Sequence, residues 1–197
     1  MALQARKPTG VPATYDDIVS LPEHMIGEII EGELVVSPRP AFPHALAGSA
    51  ISQDLGPFAR RTGGPRGPGG WWIIFEPELH LGRHVLVPDL AGWRHERMPE
   101  WPDAPWTELA PDWVCEVMSP SSGRRDRLHK ARIYRQFGVQ WLWLVEPLQQ
   151  TVEVWHGHGD TWEVIGGWEA DDAEARIPPF EAVAMELGRW WGGRVAP

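Results

Sequence analysis

Residues 113–145 read WVCEVMSPSSGRRDRLHKARIYRQFGVQWLWLV, and their pattern decides the fold. Two short apolar runs, Trp113–Met118 and Gln140–Val145, have the composition of strands buried on both faces. Ser119–Gly123 (SPSSG) breaks the first run and offers N-caps. Arg124–Phe137 then predicts a helix, with Gly138 at its C′ position. A strand–helix–strand unit over 112–146 implies a parallel pair joined by a crossover. Strand alternation puts Val114, Glu116 and Met118 on one face of the first strand and Trp113, Cys115 and Val117 on the other. Cys115 therefore points away from Glu116 and reads as a buried apolar residue.

Outward from this unit, the chain alternates short elements. Thr14 and Asp17 form a variant capping box ahead of a helix over Tyr15–Leu21. Ile26–Ile30 and Glu33–Ser37 read as a hairpin around Glu31-Gly32. A helix is predicted from Pro43 to about Arg61. Thr62–Gly70 is a glycine-rich loop without the Gly-Lys-Ser/Thr ending of a phosphate-binding loop. Trp71–Phe75, Glu78–Leu81 and Val85–Trp93 read as strands, and His95–Pro111 as a loop rich in Pro and Trp. Thr151–His156 and Thr161–Ile165 suggest a closing hairpin, and Phe180–Trp190 a short helix. The order predicts an α/β (α+β) fold: a mixed β-sheet flanked by helices, with N-terminal and C-terminal β-hairpins. The expectation is one domain over 1–197, with an acidic C-terminal extension over 146–197.

The length of 197 residues fits one domain that buries enough surface to fold without a staple. A single cysteine and an N-terminus without an apolar core predict a reducing, cytoplasmic setting. No apolar run is long enough for a membrane span. The net charge of −9 argues against a protein whose whole surface embraces nucleic acid. The charge is uneven, however. Residues 146–186 hold ten acids and only Arg176 as a base, whereas residues 121–137 carry six bases against Asp126 alone. Such a basic run suits phosphate contacts and equally suits a solvated helix face.

Two acids fall inside apolar strand patterns, Asp89 in VLVPDL and Glu116 in WVCEVM. Burying a carboxylate without a partner is expensive. A shared divalent cation, Mg²⁺ or Mn²⁺, would account for both, since such ions take hard oxygen ligands. A strand-end acid that reaches water or an arginine would also account for either one alone. Lys130 is one of only two lysines against 16 arginines. Its compact ammonium can approach a scissile phosphate where a planar guanidinium cannot. It could also be the surface partner of Asp126 four residues earlier.

These residues together resemble a known family. Gly27-Glu28-Ile29-Ile30-Glu31-Gly32-Glu33-Leu34 resembles an N-terminal "YELIDGEL" hairpin. His44 follows at the start of the next helix. Then come Val87-Pro88-Asp89, Glu116-Val117-Met118-Ser119-Pro120-Ser121, Arg125-Asp126 with Lys130 and Tyr134, and Gly138-Val139-Gln140-Trp141-Leu142. Over about residues 14–157 the chain is similar to the Uma-type "putative restriction endonuclease" family, long described as a domain of unknown function, within the PD-(D/E)xK nuclease superfamily. The resemblance implies a restriction-endonuclease-like core and metal-dependent hydrolysis of phosphodiesters, DNA first among them. Asp89, Glu116 and Glu28 would be the metal and catalytic acids and Lys130 the catalytic lysine. His44, Arg124, Arg125 and Arg127 are candidates for nucleic-acid contacts. The lysine expected two residues after the second acid is replaced by Met118. Gly27 stands for the usual Tyr and Glu31 for the usual Asp.

The competing class is a nuclease fold without catalysis, acting as a nucleic-acid-binding or dimerisation module. A homodimer is expected, from the apolar C-terminal strands, Trp190-Trp191 and the resemblance. His156 and His158 alternate on one strand face but have no third zinc ligand nearby in sequence, and His80 and His84 have none either. Ser119, Ser121 and Ser122 lack the Gly-x-Ser-x-Gly context of a hydrolase. Most of the 13 tryptophans read as core, and Trp93, Trp101 and Trp106 are the ones in or near the long loop that could meet a ligand.

Overall fold

The structure is a computed structural model that describes residues 11–60, 67–119, 126–172 and 174–193. It opens with a helix at Tyr15–Val19 (α1), where the Asp17 carboxylate accepts the Thr14 N–H at 2.7 Å. Met25–Ile30 (β1) and Glu33–Pro38 (β2) form the predicted hairpin. Glu31 and Gly32 both have positive φ, 55° and 87°, as a two-residue turn matched to strand twist requires. A helix at Phe42–Asp54 follows (α2). Next come Trp71–Phe75 (β3), Glu78–Leu81 (β4), His84–Leu86 (β5), Leu90–Arg94 (β6), Trp106–Thr107 (β7) and Trp113–Val117 (β8). Asp126–Lys130 forms a π-helical turn that runs into the helix Ala131–Gln136 (α3). Trp141–Glu146 (β9), Thr151–His158 (β10) and Thr161–Glu169 (β11) complete the strands.

The strands form two sheets. One has the order β2-β1-β5-β4-β7, the other β11-β10-β9-β8-β6-β3. Strands β8 and β9 pair in parallel, Trp113 opposite Trp141 through Val117 opposite Val145, as the flanking apolar runs imply. Their two faces serve two cores. Trp113, Cys115 and Val117 pack with α2 and the C-terminal segment, while Val114 and Met118 pack with α3 and the first sheet. On the first face, Phe180 stands edge-on to Phe58 at 4.9 Å and to Trp113 at 5.0 Å between ring centroids. Trp143 Nε1 donates to the Pro178 carbonyl and Trp190 Nε1 to Asp54, so these two buried indole N–H groups are matched. Residues around 175–191 thus cover the sheet face opposite Glu116.

The structure differs from several of these expectations. The strand expected over Val85–Trp93 is two strands in two different sheets, because Val87-Pro88-Asp89 leaves the ladder. Pro88 has no N–H to give it, and the apolar pattern runs on across the break. The C-terminal helix over Phe180–Trp190 is one 3₁₀ turn at Leu187–Arg189. The helix expected to begin at Arg124 is described only from Asp126, as a π turn. The helix from Pro43 ends at Asp54, short of Arg61. The closing hairpin is present and longer than expected.

Candidate active site

The break at Val87–Asp89 creates backbone groups that need partners, and acids supply them. The Glu28 carboxylate on β1 accepts the Val87 N–H at 2.9 Å. The Asp89 carboxylate accepts the Val117 N–H of β8 at 2.7 Å through Oδ2. That N–H lies just past the last β6–β8 pair, Leu90 with Cys115, where the neighbouring strand has turned away. Both acids are therefore fixed by the same departure of the chain that separates the two sheets. A charge-accepting hydrogen bond from a backbone N–H is among the stronger ones.

Three of the expected residues meet in one buried cluster. Lys130 Nζ lies 2.8 Å from Glu116 Oε1 and 2.9 Å from Glu28 Oε1. Lys130 and Glu116 are each 2% exposed. The sequence alternative of a surface lysine is thus overturned: the ammonium is inside, with acids from two different strands. The fully buried Tyr134 adds its hydroxyl to Glu116 Oε1 at 2.6 Å. Burial, with the negative charge of Glu116 next, holds the Tyr134 phenol well above its ordinary pKa, so it stays a donor. Lys130 and Tyr134 are four residues apart and share one face of the helix. That spacing was the signal for the tyrosine's part.

Asp89 stands beside this cluster, joined to it through the backbone of β8. Its Oδ1 is 2.6 Å from His44 Nε2 at the start of α2. His44, a candidate for phosphate contact, is placed against Asp89. Glu76, in the turn after β3, donates its N–H to the Asp89 carbonyl at 3.0 Å. Partial burial and the Asp89 charge raise the Glu76 carboxyl above its usual range, with Arg39 and His44 opposing. Glu76 has φ 45°, a left-handed conformation uncommon for a residue with a side chain. No pattern in the sequence singled it out. Cys115, on the far face of β8, is fully buried, and its thiol is pushed well above the ordinary value by burial, then by Asp89 and Glu116.

The expected nucleic-acid contacts fare differently. Arg124 and Arg125 lie outside the described residues, as do Ser121 and Ser122. Arg127 is engaged with Glu153 on β10 at 2.9 Å and lies over the Trp155 ring. His84 accepts the Glu31 N–H through Nδ1, and His80 pairs with Glu78, so neither is placed as a metal ligand. Glu31, the residue standing for the usual Asp, pairs with Arg132 and His129.

Among the described residues, no group of three or more His, Cys, Asp and Glu side chains gathers in the manner of an all-protein metal cage. The donors at hand are carboxylates, Asp89 and Glu116 with Glu28 nearby, the hard oxygen ligands suited to Mg²⁺ or Mn²⁺. Mg²⁺ usually takes only one or two carboxylates from the protein, with water and phosphate completing its shell. The residues present fit such an ion.

Comparison with known proteins bears on the same region. The sequence profile of the Uma2 family, described as "Putative restriction endonuclease", matches residues 14–186. No curated protein matches the chain. Among solved structures, one from Anabaena variabilis, titled as a "putative nuclease belonging to DUF820", superposes with a TM-score of 0.71 at 24% identity. The match covers 92% of this chain and 98% of that one, and at this identity it speaks for the fold. No helix among the described residues is long and apolar enough to cross a membrane.

Proposed function

The chain belongs to the Uma2 family, and from that membership and its buried carboxylate–lysine cluster we propose that it is a metal-dependent endonuclease acting on nucleic acid, DNA in the first place. The observation that carries the reading is the meeting of Lys130 with Glu28 and Glu116 in a buried cluster beside Asp89. A buried lysine between two acids from separate strands is costly to assemble for packing alone. It is well suited to chemistry in which charge develops on phosphoryl oxygens.

Asp89 and Glu116 are the residues that would hold Mg²⁺ or Mn²⁺, with Glu28 completing the acidic shell. A bound divalent cation supplies a Lewis acid at the scissile phosphate and a water of lowered pKa. The protein's own groups do the rest. Hydrogen bonds from His44 and the Val117 N–H fix the Asp89 carboxylate, and Tyr134 fixes that of Glu116. Lys130, held between the two acids, stabilises the developing negative charge, from the helix rather than from the strand position that Met118 fills. Arg124, Arg125 and Arg127 would serve the phosphate backbone, which positions a substrate without reading its sequence. The C-terminal residues around 175–191 cover the opposite sheet face and so leave that approach open.

The test is cleavage of plasmid and oligonucleotide in Mg²⁺ or Mn²⁺ by the wild type, Asp89→Ala and Glu116→Ala. The reading expects metal-dependent cutting by the wild type and none by either variant. Cutting in chelator, or equal activity in the variants, overturns it.

A further inference from the structure

A groove of about 490 Å³ opens beside the candidate active site, and the cluster above makes no use of it. Its lining includes Trp72, Phe75, Glu76, Glu78, Trp101 and Trp106. Glu76 belongs to both places: it lines the groove and is hydrogen-bonded through its backbone to Asp89. The groove therefore begins where the proposed chemistry takes place.

Its walls are aromatic rings, with Trp101 and Phe75 the exposed ones. Trp72 is stacked on His95 at 4.3 Å between centroids, and Trp101 leans on Trp72 at 5.1 Å. Trp106 is stacked on His80 at 4.4 Å, with the His80 ring held by Glu78. The Trp72 indole N–H is given to the Met98 carbonyl, which fixes that ring as the backing against which the exposed Trp101 rests. Trp101 and Phe75 are 68% and 51% exposed, an unusual amount of aromatic surface for a soluble face. Among the described residues, the groove lining contains acids and no lysine or arginine.

That chemistry excludes a phosphate backbone from the groove and suits a flat ring bearing amino hydrogens. Carboxylates accept from exocyclic amino groups such as cytosine N4, and aromatic faces stack on any base. We infer that the groove is a subsite for an unpaired nucleobase of the substrate strand. The sugar–phosphate chain runs outside it, toward Asp89. A base locked in a duplex shows only its edges, so the subsite favours single-stranded or locally unpaired nucleic acid. The inference rests on the nuclease reading above and adds a substrate class to it.

The test is equilibrium binding by fluorescence anisotropy in Ca²⁺ buffer, with three labelled probes: a single strand of about 12 nucleotides, the same strand with abasic sites, and its duplex. Wild type is compared with Trp101→Ala and Phe75→Ala, both exposed enough to leave the core intact. The wild type should prefer the base-bearing strand over the abasic one. Trp101→Ala should weaken the base-bearing strand at least about fivefold, the low end for losing one stacked base, and should leave the abasic strand and duplex unchanged. Equal affinities for the base-bearing and abasic strands, or variants that bind all probes like the wild type, overturn the inference. So does a groove that takes a proline-rich peptide and no oligonucleotide. The two readings fail separately. Metal-dependent cutting that is indifferent to Trp101 removes the subsite alone. Trp101-dependent base binding without any cutting removes the nuclease alone.

Discussion

Replacing Lys130 by methionine keeps the length of the side chain and removes the charge between two buried acids. In the native protein its ammonium lies 2.8 Å from Glu116 and 2.9 Å from Glu28. At an effective dielectric of about 20, a unit pair roughly 3 Å apart attracts by about 5–6 kcal/mol. Desolvation of three buried groups opposes most of that attraction, and the ordinary loss on breaking a buried pair is about 3–5 kcal/mol. Lys130→Met should therefore lower the unfolding free energy by about that amount, a large part of a domain's usual 5–15 kcal/mol. The assay is urea denaturation followed by circular dichroism at fixed pH. Adding Glu116→Gln in the Lys130→Met background removes one of the stranded charges and should recover part of the loss. Mn²⁺ should raise the melting temperature of Lys130→Met more than that of the wild type, since the variant leaves two acids without their internal cation. A Lys130→Met protein as stable as the wild type, with no recovery from Glu116→Gln, refutes the buried-network argument.

Three further outcomes follow from the same geometry. Tyr134→Phe leaves Glu116 without its phenolic donor and should cost about 1.5–3 kcal/mol, the range for a hydrogen bond to a charged group, in a denaturation curve of unchanged slope. Cys115 is fully buried with its thiol pKa raised, so a disulfide-exchange reagent at neutral pH should label it only as fast as the protein opens, and immediately in denaturant. His84 has its pKa lowered, first by burial and then by Arg83. Its folded form binds a proton less readily than its unfolded form. Its share of stability is therefore full above the ordinary histidine value of about 6.5 and falls as pH drops below it. A melting profile from pH 7.5 down to 5.5 should decline in the wild type and flatten in His84→Gln.

The parallel pair at the centre was legible because both strands are apolar on both faces and are too short to be helices. The hairpin at Glu31-Gly32 was legible because its turn needs two positive φ angles. Asp89, Glu116 and Lys130 stood out for a physical reason: each carries a charge where the pattern demands burial or where the composition favours another residue. The break at Val87–Asp89 was not visible, since valine, leucine and proline there keep the apolar rhythm while the chain changes sheets. That break is what points Glu28 and Asp89 at backbone N–H groups, so the positions of the acids were readable but not their anchoring. The tie between His44 and Asp89 spans 45 residues and leaves no local trace. Glu76 was missed for the same reason, because its place depends on how the turn after β3 meets the strand break. The net charge of −9 turned out to be a statement about one segment, part of which covers the sheet face away from Glu116.

Glu116→Gln tests the central claim most directly, because glutamine keeps the size of the side chain that Tyr134 and Lys130 hold. The measurement is nicking of supercoiled plasmid in Mn²⁺, read beside the thermal midpoint of the same sample. The account predicts a folded variant that leaves the plasmid intact while the wild type cuts it. A folded Glu116→Gln protein that nicks as fast as the wild type contradicts it.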